Sequence, residues 1–148
     1  MIKFHELKDS LIGELHNRPF PLITIPAQVS HMDLLNPVAR EKEIEYLNKL
    51  FEIIHSTKYL KLIGLHAHIG SQIFELDPHK DLGEIMVNVI LEAKKFGHNI
   101  KELNVGGGLG IKYTEEDDPP SIEEWIKTVS LSVSKACKKN KIDLPTLM

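Results

Sequence analysis

From residue 59 onward the chain alternates short apolar runs with longer segments of helical apolar spacing, and that alternation leaves few folds open. Leu60–Ile69 is apolar, short enough for a strand buried on both faces, and ends at Gly70. Asp77-Pro78 then opens a helix whose Leu82, Ile85, Met86, Val89, Ile90, Ala93 and Phe96 share one face, with Gly97 suited to the C-terminal cap. Glu102–Val105 is a second strand, running into Gly106-Gly107-Gly108-Leu109-Gly110. Ser121 with Glu124 forms a capping box for a further helix, whose buried stripe is Ile122, Trp125, Ile126, Val129, Val133, Ala136 and Cys137. Leu144–Met148 begins a third strand. Strand, helix, strand, helix, strand in this order calls for parallel strands joined by right-handed crossovers.

The first 58 residues have a different character. Leu7, Leu11, Ile12 and Leu15 recur at helical spacing until Pro19 and Pro21 stop the helix, and residues 22–35 read as irregular edge strand. Asn36-Pro37 starts a helix with Ile44, Leu47, Leu50, Phe51 and Ile54 on one stripe, ending near His55-Ser56-Thr57. The expected architecture is therefore α/β: three parallel strands with crossover helices, a partial (β/α) barrel, preceded by an α+β N-terminal segment. The expected units are residues 1–58 and 59–148.

Composition narrows the function. The chain has 148 residues, with 18 Lys+Arg against 21 Asp+Glu and a net charge of −3. No basic block marks a nucleic-acid or membrane surface. One cysteine, Cys137, rules out an intrachain disulfide, and no apolar stretch approaches the ~20 residues of a membrane span. Cytoplasmic location and small-molecule or protein partners follow as expectations. The chain halts inside an apolar run, so the second segment looks cut short.

Two stretches could carry chemistry. Four of the five residues 106–110 are glycine. Successive glycines after a strand let backbone N–H groups converge on an anion, forming a phosphate nest, and a tight turn is the plainer reading. The spacing is neither the dinucleotide G-x-G-x-x-G nor a P-loop. In His66-Ala67-His68, the two imidazoles on a strand project to one face. They fit a metal pair completed by Glu75, Asp77 or His79, a satisfied core or surface pair, or a cofactor-facing histidine. Ser71 and Gln72 follow where a parallel sheet presents its ligand-binding loops. His16, Arg18, His31 and Asp33 form no recognised geometry, His5, His55 and His98 are expected to be exposed, Cys137 is expected in the core, and the acidic run 115–118 reads as a solvated loop.

The residues Gly64-Leu65-His66-Ala67-His68-Ile69-Gly70-Ser71-Gln72, then 103–114 from Leu103-Asn104-Val105 through Thr114, then Pro119-Pro120-Ser121 resemble the diaminopimelate decarboxylases. The resemblance covers roughly residues 59–148. It implies an alanine-racemase-like (β/α)₈ barrel, pyridoxal 5'-phosphate as cofactor, an amino-acid substrate (meso-diaminopimelate, converted to lysine and CO₂) and dimeric assembly. It further implies that His68 stacks on the pyridine ring, that Ser71 lies near the cofactor, and that the amides of Gly106, Gly107 and Gly108 hold its phosphate. The family's Schiff-base lysine, in a Lys-Ala-Asn-like context, has no counterpart here, and neither does its Glu-Pro-Gly-Arg stretch. No catalytic residue is assigned, and cofactor binding is expected to be weak or absent. Residues 1–56, through Glu14-Leu15-His16-Asn17-Arg18-Pro19-Phe20 and 26–32, resemble the opening of an uncharacterised bacterial membrane-anchored family, which places a join near residues 56–60.

A full barrel takes about 250 residues, so residues 59–148 can supply three of eight strands. The expected chain is thus a truncated, inactive diaminopimelate decarboxylase-like polypeptide with open sheet edges that invite self-association. The competing expectation is a structural or interaction protein of the N-terminal family, with the barrel piece as passenger.

Overall fold

The structure, a computed structural model, describes residues 22–27, 37–58 and 60–148. Its elements are β1 (Leu22–Ala27), α1 (Pro37–Ser56), β2 (Lys61–Ala67), α2 (Asp77–Lys95), β3 (Glu102–Asn104), α3 (Ile122–Asn140) and β4 (Thr146–Leu147). The strands form one parallel sheet in the order β1-β2-β3-β4. Sequential parallel order with crossovers of one hand puts the connecting helices on one side of the sheet. A single core joins Phe51 and Ile54 of α1, Leu62 and Leu65 of β2, Leu82 and Met86 of α2, Leu103 of β3, and Val129 and Val133 of α3. The α/β class with three parallel strands from residue 59 onward is as the pattern requires.

The N-terminal segment contributes more than an isolated edge. β1 pairs with β2 along its length, from Leu22 opposite Lys61 to Ala27 opposite Ala67, with one irregularity between Ile23 and Thr24. α1 packs Leu47, Phe51 and Ile54 into the same core. The expected N-terminal helix, together with His5, His16, Arg18, His31 and Asp33, lies outside the described residues.

Local signals set the helix ends. α2 carries Pro78 in its first turn, where a missing N–H leaves no intrahelical bond unmade. It closes with Gly97 at φ +83°, Gly97 N–H donating to the Lys94 carbonyl and His98 N–H to that of Ala93, the Schellman arrangement. At the start of α3 the Ser121 hydroxyl accepts from Glu124 N–H, and the Glu124 carboxylate accepts from Ser121 N–H.

Two expectations for α3 need correction. Ile122 and Ile126 are 69% and 52% exposed. Their positions around the helix are inward, since Ile126 lies between the buried Val133 and Cys137 in helical projection. Their positions along it are not. Trp125 already faces His79, two residues into α2, at a ring separation of 5.6 Å, so the first turn of α3 overhangs the end of α2. His98 also departs from expectation: it is half-buried, with Nε2 2.8 Å from the Phe51 carbonyl oxygen and its ring against Phe51 and His55. Cys137 is buried as expected, and burial pushes its thiol pKa up.

The α2–α3 contact turns on Gly83. A Cβ there would fall on the Ser132 hydroxyl and 3.1 Å from Val133 N, while that hydroxyl donates to the Lys80 carbonyl. Gly83→Val should therefore destabilise the chain by ~1–3 kcal/mol through overpacking, read as a lowered urea midpoint. Combining it with Ser132→Gly should recover part of the loss, and strictly additive effects would refute this account of the contact.

Candidate functional site

The β2–β3 register sets Leu65 opposite Leu103 and His66 opposite Asn104, so the two loops leaving these strands emerge side by side at the C-terminal edge of the sheet. That edge is where parallel α/β sheets bind ligands. His68 and Ser71 come from the first loop, Gly106–Gly108 from the second. All five sequence-assigned residues thus lie on adjoining loops: His68, Gly106 and Gly108 half-buried, Ser71 and Gly107 exposed.

The three glycines are there for different reasons. Gly106 has φ +70°, and a Cβ on it would sit 2.6 Å from the Ala67 carbonyl oxygen and 2.9 Å from His68 Nδ1. Its α-carbon is the surface against which the imidazole lies. Gly108 has φ +93°, and a Cβ would fall on the Gly70 carbonyl oxygen. Both positions demand glycine on conformation and space together. Gly107 differs, since a Cβ there would meet nothing within 4 Å.

The donors sort accordingly. Gly106 N–H donates to Asn104 Oδ1 at 2.8 Å, so the sequence reading of three equivalent amides resolves into one amide held within the loop and two beyond it. Among the described residues, the N–H groups of Gly107 and Gly108 make no hydrogen bond within the protein. Gln72 and Ile73 hold the far end of the loop. Ile73 N–H donates to the Gly108 carbonyl at 2.9 Å, and Gly110 N–H to the Ile73 carbonyl at 2.8 Å. Ile111 N–H donates to Gln72 Oε1 at 2.9 Å, and Gln72 Nε2–H donates back to the Ile111 carbonyl at 3.0 Å. The residue sequence alone marks Gln72 only as a loop residue. Its pairing with Ile111 depends on the strand register.

The metal reading finds no third ligand where the sequence offered one. His79 is fully buried within α2, edge-on to Trp125, while Glu75 and Asp77 are exposed. Among the described residues no group of three or more His, Cys, Asp or Glu could hold a metal ion. No described helix is long and apolar enough to cross a membrane.

The site therefore brings the His68 imidazole and the glycine loop together at the C-terminal edge of a parallel sheet, in an α/β domain. The sequence model of the pyridoxal-dependent decarboxylases, over their pyridoxal binding domain, matches residues 42–147. The chain belongs to that family. The match begins inside α1, upstream of residue 59.

Diaminopimelate decarboxylase of Synechocystis sp. is 53% identical over 102 residues, which are 69% of this chain and 22% of that protein. The structure of diaminopimelate decarboxylase from M. jannaschii in co-complex with L-lysine is 28% identical with a TM-score of 0.60, over 67% of this chain and 22% of that one. A variant of the Helicobacter pylori enzyme complexed with L-lysine matches 98% of this chain and 37% of its own at a TM-score of 0.70 and 17% identity, a likeness of fold. The chain spans about a fifth of the length of the curated relatives it matches.

The acidic loop beyond the glycines has internal structure of its own. The Asp117 carboxylate accepts from Tyr113 N–H at 2.9 Å and Thr114 N–H at 2.7 Å. These bonds, that from Thr114 foremost, hold its pKa below the ordinary 3.8. A carboxylate lowered on folding contributes order above its unfolded pKa and loses it as pH falls through the folded one. The Thr114 and Tyr113 amide resonances should accordingly titrate with a midpoint below 3.8. A midpoint at or above that value would contradict the assignment, and Asp117→Asn should abolish the step.

Proposed function

We propose that this chain is a diaminopimelate decarboxylase-like polypeptide whose residues grip the phosphate end and ring of pyridoxal 5'-phosphate, without carrying out the decarboxylation themselves. The single observation that carries the reading is Gly107. Gly106 and Gly108 are glycines for the sake of the fold, whereas nothing in the fold crowds position 107. Position 107 thus lies in an uncrowded stretch of the loop beside two N–H groups that bond nothing else among the described residues, and free backbone donors on a glycine loop are what a phosphate recruits.

In this reading the Gly107 and Gly108 amides donate to the phosphate. Charge-assisted bonds of this kind contribute about 1.5–3 kcal/mol each. The His68 ring, held against Gly106, offers a face for the pyridine ring, and Ser71 a hydroxyl nearby. When bound, the cofactor supplies an electron sink for the carbanion left by loss of CO₂. The substrate assigned by this reading is a diamino acid, meso-diaminopimelate, with lysine as product, and the location is the cytoplasm. The relatives' names, and the lysine bound in the M. jannaschii enzyme, support that class. The outer edges of β1 and β4 are where a further strand or a second copy would add. In this reading the membrane-anchored family is the source of residues ahead of 42 rather than of all of 1–58, because the pyridoxal binding domain match begins at residue 42, and these residues are no separate packing unit, since β1 joins the sheet and α1 the core.

Two measurements test the proposal. Incubated with pyridoxal 5'-phosphate and meso-diaminopimelate, the purified chain should yield no lysine above a blank, because no Lys-Ala-Asn-like context is present in its sequence; turnover would overturn the assignment of inactivity. Gly107→Val should weaken binding of pyridoxine 5'-phosphate at least tenfold, a loss of about 1.4 kcal/mol, with the thermal midpoint little changed. Undiminished binding by this variant, measured by calorimetry, would remove the phosphate site.

A further inference from the structure

We infer that Gln72 is a positioning residue for the phosphate group, acting through the glycine loop rather than by touching the ligand; the inference rests on the phosphate reading of that loop. Gln72 is exposed, and its backbone is left-handed at φ +56°, a region that a non-glycine residue enters only at an energetic cost. What that conformation achieves is specific. The side-chain amide lies alongside Ile111 and makes both bonds of a ladder rung, accepting from its N–H at 2.9 Å and donating to its carbonyl at 3.0 Å. The next residue, Ile73, pairs through its backbone with Gly108 and Gly110. Gln72 thereby extends a short parallel bridge by one rung, using a side chain in place of a strand.

The glycine loop is consequently held at two ends. Asn104 fixes the strand side by accepting from Gly106 N–H at 2.8 Å, and the Gln72–Ile73 pair fixes the exit at Gly108, Gly110 and Ile111. Between these anchors lie the Gly107 and Gly108 amides. A nest built from glycines has more backbone freedom to lose on binding than any other. Anchoring both ends removes that freedom before the ligand arrives, so affinity for an anion depends on the clamps as well as on the donors. Gln72 is suited to the exit because its side chain carries a donor and an acceptor on one planar group.

The test compares wild type with Gln72→Met, which keeps length and volume but cannot make the rung. The probes are pyridoxine 5'-phosphate and pyridoxine, neither of which can condense with lysine. The variant should lose about tenfold in affinity for the phosphate ester while binding pyridoxine as wild type does. Exchange of the Ile111 amide should quicken, with that of Leu65 in β2 unchanged. A wild type that prefers the phosphate ester together with a variant that prefers it equally would overturn the role of Gln72 alone. Equal losses for both probes would reduce Gln72 to general structural support and overturn it too. A wild type that does not discriminate between the probes would remove the phosphate reading and this inference with it.

Discussion

Everything at the candidate site depends on the register in which β2 and β3 pair. With Leu65 opposite Leu103 and His66 opposite Asn104, the chain leaves β3 at the depth where Ala67 and His68 leave β2. The Gly106 α-carbon then fits against the Ala67 carbonyl and the His68 ring. A slip of one residue displaces one strand by about 3.3 Å and exchanges the faces of its side chains. The buried Leu62, Leu65 and Leu103 resist such a slip because it would turn apolar side chains away from the core. Hydrophobic packing far from any ligand thus places the imidazole beside the backbone donors.

What was legible in the sequence follows the range of the interaction. The start of α2 at Asp77-Pro78, its Gly97 cap and the Ser121–Glu124 box are written in residues three or four apart, and the structure reproduces them. The joining of β1 to the same sheet, the overhang that leaves Ile122 and Ile126 in solvent, and the burial of His79 against Trp125 depend on how far one element slides along another. Periodicity reports the angle of a residue around a helix and says nothing of its height. The placement of the glycines and His68 on adjoining loops was readable because backbone freedom and a ring near a strand end are local properties. Gln72 and Asn104 were not, because each acquires its meaning from a partner placed by tertiary structure or by a turn whose geometry composition does not announce.

The glycine run shows how one residue type can answer three separate demands. At 106 and 108 the demand comes from the protein itself, as positive φ with a carbonyl close by. At 107 the protein makes no such demand, and in the proposed reading the demand comes from the ligand. A turn selected only to reverse the chain would be served by the first two. The sequence pattern leaves turn and nest as alternatives, and the different surroundings of the successive glycines are what the proposed nest reading rests on.

The division between binding and chemistry also has a physical basis. Gripping a phosphate needs only backbone donors in a fixed arc, which two neighbouring βα loops supply locally. Driving a decarboxylation needs an amine, an acid and an electron sink brought together from separate strands of a barrel. The matched relatives share with this chain about a fifth of their length, and the shared part includes the two loops to which the proposal assigns the anion. The geometry of these loops is held by Asn104, Gln72 and the β2–β3 register, so on the proposed reading the grip on an anion depends on local backbone structure and not on the groups that drive the reaction.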